Sequence, residues 1–307
     1  MARSKGRKSV GIQPAHRMLV YSVDADGSYD IDIARDLSAI NRRLYRQGMQ
    51  YYVASVRIAT IPTPTASYVH LACATAGDTW MVHNAWKKGY ALWRDQQREI
   101  LSVLPGVQGK WADFKIELDD NSTTLLSPIA GDGGTIVPDE WNLANYIWDD
   151  DGTERSPTFC LLGSTSITAT IGLVQEYHIA RSQVQASPLV PADASDSIFA
   201  KSLGTDEMTD LMVEHMEGEN DLAPYDMTEM VGGDTVADAP FIHGFAVSTP
   251  SGVAHHSGFL AECGLVRIGV NAYAADGAAS DIPNESLIFV EIAPGPYKGV
   301  MASRMGQ

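Results

Sequence analysis

Nine stretches of the chain carry the alternating or continuous apolar pattern of β-strands. They are RMLVYSV (17–23), QYYVASVRI (50–58), SYVHLACA (67–74), DFKIELD (113–119), TFCLLG (158–163), LVQEYHIARSQV (173–184), FIHGFAVS (241–248), LVRIGVNAY (265–273) and SLIFVEIA (286–293). A period of two places Tyr52, Ala54, Val56 and Ile58 on one face of the second stretch. It does the same for Phe114, Ile116 and Leu118 in 113–119, and for Val266, Ile268, Val270 and Ala272 in 265–273. Turn formers at 24–27, 131–134, 150–152 and 276–277 punctuate the series. So many strands with long, irregular connections predict a mainly β chain. The expected form is a single jelly-roll β-sandwich with a few helices in its inter-strand loops.

Three segments read as helices instead. In IDIARDLSAINRRLYRQG (31–48), Ile33, Leu37, Ile40 and Leu44 make one apolar stripe. Arg35, Arg42 and Arg46 share the opposite face, with Arg43 beside them. Asp30 or Asp32 is placed to cap the start and Gly48 to end it, with a strand entry competing for the aromatic-rich second half. NAWKKGYALWRDQQREILSVLPG (84–106) puts Trp86, Tyr90, Trp93, Leu101 and Leu104 on one side before Pro105-Gly106 stops it. TDEMTDLMVEHMEG (205–218) is the third, inside a polar stretch that reads as a long surface insertion at about 185–240. The organisation expected is a basic arm over 1–17 and one domain over 18–307.

Charge changes this picture. The chain has 22 Lys and Arg against 38 Asp and Glu, a net charge of -16. Yet MARSKGRKSVGIQPAHR (1–17) holds Arg3, Lys5, Arg7, Lys8 and Arg17 and no acid. Residues 1–60 carry a balance of +5, and the remainder carries -21. A polyanion is attracted to the first segment and repelled by most of the rest.

Enzyme chemistry is not expected. GxxxxGK[ST], GxSxG and HExxH motifs are all missing from the sequence. Cys73, Cys160 and Cys263 are an odd, widely spaced set, which argues for buried reduced thiols rather than disulfides or zinc. His255 and His256 are adjacent, so on a strand they point to opposite faces and do not converge on a metal. Two acidic runs offer the oxygens that calcium takes: DDDGTE, with Asp149, Asp150, Asp151 and Glu154, and EHMEGEND (214–221). The first is the candidate calcium site, a structural ion at a subunit contact, and no other cofactor is expected. No apolar run is long enough for a membrane helix, and the N-terminus lacks the apolar core of a secretory signal.

Four segments, in order along the chain, resemble the capsid proteins of small circular Rep-encoding single-stranded DNA (CRESS-DNA-like) viruses. They are DLSAINRRLYRQGMQYYVASVRI (36–58), DTWMVHNAWKKGYALWRDQ (78–96), EGENDLAPYDMTEMVGG (217–233) and PGPYKGVMA (294–302). The resemblance implies a jelly-roll subunit that self-assembles into an icosahedral virion shell of about sixty copies, formed inside the host cell. It also implies packaging of a single-stranded DNA genome against a basic inner surface, with a host receptor as an outside partner. The expected nucleic-acid contacts are Arg3, Lys5, Arg7, Lys8, Arg17, Arg35, Arg42, Arg43 and Arg46. An alternative from the residues alone is a non-viral β-sandwich that binds carbohydrate or a cell surface through Trp141, Tyr146 and Trp148. A metal-dependent hydrolase built on the acidic runs is a third.

Overall fold

The computed structural model describes residues 13–60, 68–106, 109, 111–120, 123–150, 152–166, 168–182, 240–248, 252–280 and 286–306. The basic arm up to residue 12, most of the 185–240 insertion with its expected helix, and the acidic run 214–221 lie outside them.

Eight strands of six or more residues form the frame: β1 (Met18–Val23), β2 (Gly27–Asp32), β3 (Met49–Ala59), β4 (Tyr68–Thr75), β5 (Phe241–Val247), β6 (Val253–Ala261), β7 (Leu265–Tyr273) and β8 (Ser286–Ile292). They make two curled sheets, antiparallel throughout their main strands. One has the order β1-β8-β3-β6 and the other β5-β4-β7-β2. Short strands add to the sheets: Ala302–Arg304 pairs with β3, Ala279–Ser280 pairs with β7, and Thr124–Leu125 runs parallel to the edge strand β2. The chain is mainly β.

The inward residues of the two sheets share one core. Leu19, Tyr21, Val56, Ile58, Ile288 and Val290 come from one side, and Val69, Leu71, Cys73, Ile268 and Val270 from the other. Burial of that apolar surface is the principal force holding the sheets together. A second core lies under two helices of the long β4–β5 connection, α2 (Trp80–Val103) and α3 (Leu173–Ser182). Gly89 is the notch that lets them meet, because a Cβ there would come within 2.4 Å of Leu173 Cδ2. Thr79 caps α2 by accepting the Val82 N–H. All three cysteines are buried and free.

Several expectations are corrected. The segment 173–184 is not a strand: Leu173, Val174 and Tyr177 recur at helical spacing and face α2, and the helix ends at Ser182. The segment 113–119 keeps its alternation, with Phe114, Ile116 and Leu118 buried, but forms no regular strand. Its partner is in part a side chain, since Gln47 accepts the Ile116 N–H and donates to the Ile116 carbonyl. Only Thr158–Cys160 of 158–163 is strand. In β3 the register against β8 shifts between Ser55 and Val53, so Tyr51 and Val53 join Val56 and Ile58 in the core, in place of Tyr52 and Ala54. Residues 27–32, read as turn and helix entry, form β2. The His255–His256 stretch belongs to β6, with His255 exposed and His256 buried.

The helix expected over 31–48 is α1 (Ile33–Asn41), capped by Asp32, which accepts the Arg35 N–H at 3.0 Å. It ends early because Arg42 takes a left-handed conformation at φ 55°. On α2 the expected apolar side holds only for the first turns. Met81, Val82, Ala85, Trp86 and Gly89 are buried, whereas Leu104, just past the helix end, is exposed.

Candidate nucleic-acid interface

The nine expected cationic contacts separate into three groups. Arg3, Lys5, Arg7 and Lys8 lie outside the described residues. Arg17 is half-buried where the chain enters β1, and its carbonyl accepts the Ile292 N–H. The four arginines of 35–46 divide at the end of α1.

Arg35 faces inward, only 6% exposed. Its Nε donates to Asp36 at 2.8 Å, and its terminal nitrogen donates to the Leu126 carbonyl. The expected solvent-facing stripe is corrected here: the 123–130 segment covers that side of α1, and a buried guanidinium needs the carboxylate and carbonyl it finds there. Asp36 also accepts from the Tyr21 hydroxyl at 2.6 Å. Burial raises the Asp36 carboxyl to about 7, against the opposing pull of Arg35.

Arg42, Arg43 and Arg46 are exposed on the loop that follows α1. Three tyrosines hold that loop from beneath. The Tyr51 hydroxyl donates to the Arg46 carbonyl, and the Tyr45 hydroxyl donates to the Lys298 carbonyl. The Tyr297 hydroxyl accepts the Arg46 N–H at 3.1 Å. Tyr297 meets Tyr45 and Tyr51 edge to face, with ring centroids 6.0 and 6.3 Å apart.

Lys298 adds a fourth cation. Its ammonium donates to the Leu44 carbonyl and lies 5.4 Å from the Tyr297 ring and 5.6 Å from the Tyr45 ring. Burial lowers its pKa, and the charges of Arg46 and Arg43 lower it further, opposed by Asp113. The carboxylate paired with this loop is Asp113, 3.6 Å from an Arg46 guanidinium that stays 57% exposed. Like charges held this close favour a bound anion.

The N-terminal arm leaves the body beside the same loop. Asn41, the last residue of α1, accepts the His16 N–H and donates to the His16 carbonyl. Gly299 abuts the incoming chain so closely that a Cβ would come within 2.4 Å of the Gln13 carbonyl oxygen. The described chain therefore begins next to Lys298 and the end of α1. Segments 36–58 and 294–302 meet there.

Comparison of the chain with protein-family models, curated proteins and solved structures gave no match. What the chain does rests on its own geometry.

The candidate calcium residues sit elsewhere. Asp149 and Glu154 are directly opposite each other across a hairpin of Trp148–Asp150 and Thr153–Arg155. Asp149 accepts the Gly152 N–H at 2.6 Å, and Asp151 lies outside the described residues. Among the described residues no group of three or more His, Cys, Asp or Glu converges as a metal site. Of the residues named for surface binding, Tyr146 and Trp148 are neighbours with ring centroids 5.8 Å apart, while Trp141 packs against the sheet core. Among the described residues no helix is long and apolar enough to cross a membrane.

Sequence reasoning missed Lys298 and the three tyrosines. Periodicity carries no sign of Tyr297 and Lys298, because they act from a turn more than two hundred residues away, and none of the contacts that Tyr45 and Tyr51 make with that turn. The segment PGPYKGVMA contained the pointer, since a Tyr-Lys pair between glycines and prolines marks a shaped turn.

Proposed function

We propose that this chain is a jelly-roll capsid subunit that self-assembles into a closed shell around single-stranded DNA. The strand order supports the fold. Eight long strands, four to a sheet, have the orders 1-8-3-6 and 5-4-7-2, an arrangement that two Greek keys give in a jelly roll. That fold serves capsids and lectins alike, so the order does not choose the function.

The observation that carries the function is the convergence of the arm's entry point with Arg42, Arg43, Arg46 and Lys298 in a chain whose net charge is -16. Its exposed guanidinium groups suit phosphate oxygens, and interactions of this kind tolerate any sequence. Arg35 has no part in it. The acidic remainder, with a balance of -21 outside residues 1–60, confines a polyanion to this pole.

The test is the nucleic-acid content of the purified protein, read by absorbance, for the full chain and for a form lacking residues 1–17. The full chain is expected to carry nucleic acid that high salt strips. The shortened form is expected to assemble and carry markedly less. Equal content in both would remove the arm from packaging.

A further inference from the structure

A cleft of about 900 Å³ opens beside the arginine loop, between α1, α2 and the segments around residues 111–115 and 135–145. It shares Arg42 with the packaging surface but differs from it in the rest of its lining. Three tryptophans line it: Trp93 from α2, Trp111 and Trp141.

Trp141 is a fixed platform. Its indole N–H donates to Asp32 at 2.8 Å, and Asp32 is itself held by the Arg35 N–H and the Gln47 amide. The Lys115 ammonium lies 4.2 Å from the centre of the Trp141 ring. Trp111, by contrast, is 46% exposed, and no described hydrogen bond or ring contact ties it down.

Asp113 is part of the cleft wall. Its side chain is nine-tenths buried, and its Oδ2 is closed to solvent with no hydrogen-bond partner among the described residues.

The charges then choose among ligands. Three acids, Asp113, Asp139 and Glu140, and three bases, Arg35, Arg42 and Lys115, line the cleft. That balance of charge gives a phosphodiester chain no net attraction. It suits a neutral ligand rich in hydroxyls, which donates to carboxylates and accepts from Lys115 and from the amides of Asn142 and Asn145. Flat aromatic faces beside such polar groups are what the C–H face of a pyranose ring stacks against.

We propose that this cleft binds a neutral oligosaccharide, with Trp111 as the stacking face and the polar side chains that line it as hydrogen-bond partners. The site does not depend on the packaging role, and the two fail separately.

The experiment titrates the full-length protein with chitotetraose, cellotetraose and mannotetraose, following tryptophan fluorescence, with a twelve-residue oligothymidylate in parallel. Saturable binding of at least one neutral sugar is expected. Trp111→Ala should weaken it by about tenfold or more, as removal of the main stacking face requires, while Trp111→Tyr retains most of it. An unchanged thermal melt for each variant shows that the fold is kept. Failure of all three sugars to bind, or binding that Trp111→Ala leaves unchanged, overturns the proposal. Oligothymidylate binding that Trp111→Ala abolishes also overturns it, and assigns the cleft to nucleic acid instead.

Discussion

The Tyr297 hydroxyl accepts the backbone N–H of Arg46 across 251 residues of chain, and so fastens the C-terminal segment to the arginine loop. Tyr45 and Tyr51 complete the clasp through Lys298 and Arg46. Replacing Tyr297 with Phe keeps the ring packing and removes the acceptor. The expected cost is about 1 kcal/mol, the usual net worth of one such bond. Urea unfolding measures it, and an unchanged midpoint would mean that the ring alone holds the loop.

Arg35 and its neighbours on the loop should behave oppositely. Arg35→Ala leaves Asp36 buried beside Tyr21 without its cation, a loss of about 3–5 kcal/mol for a broken buried pair, with no change in how salt weakens DNA binding. The triple change Arg42→Ala, Arg43→Ala and Arg46→Ala should leave the melt nearly unchanged. It should make the slope of log affinity against log salt shallower by about 2, at about 0.7 for each single-strand phosphate that is no longer neutralised. A melt that collapses in the triple variant, or a slope that changes in Arg35→Ala, would reverse these assignments.

Stability should fall as pH rises through neutrality. Asp36 is raised from its ordinary 3.8 to about 7 by burial, so between those values the folded chain holds a proton that the unfolded chain has released. Its contribution is complete below about pH 4 and is lost as pH climbs through about 7. Burial raises Asp30, Asp32, Asp113 and Glu262 as well, in the same direction. Asp36→Asn, which resembles the protonated carboxyl, should flatten the pH profile of the melting temperature. A variant as steep as the parent would place the titration elsewhere.

Gly299 tests the entry of the arm. It has φ 98°, and a Cβ would press within 2.4 Å of the Gln13 carbonyl oxygen and 2.7 Å of Ala15 Cβ. Gly299→Ala should cost about 1–3 kcal/mol through backbone strain and should free residues 13–15 from the body. Faster proteolysis near residue 13, with the core intact, is the readout. Unaltered cleavage would show that the His16–Asn41 bonds suffice.

Where the frame of the fold was legible, one face of each strand was plainly apolar. Val266, Ile268, Val270 and Ala272 are all buried as the period of two requires. The pattern misled where something other than a strand supplies the pairing. Phe114, Ile116 and Leu118 alternate because the Gln47 side chain and a bridge at Glu117–Cys160 stand in for a neighbouring strand. Arg35 was misplaced for a related reason. One helix shows its own apolar stripe but not the 123–130 segment that covers its other side. Of the interface, Arg42, Arg43 and Arg46 were visible as a charge cluster. Lys298 was not, because its place beside them is set by the left-handed turn at Lys298 itself, φ 51°, and by Gly299. The tryptophan cleft was not legible because its walls come from segments far apart in sequence, α1, Trp93 and residues within 109–145.

Electron microscopy of the purified protein at high concentration, paired with sedimentation velocity in low and high salt, tests the central claim most directly. A self-assembling shell subunit gives uniform closed particles, filled where nucleic acid is retained and hollow where salt has removed it. A chain that stays monomeric under every condition, with no particles in the images, would contradict it.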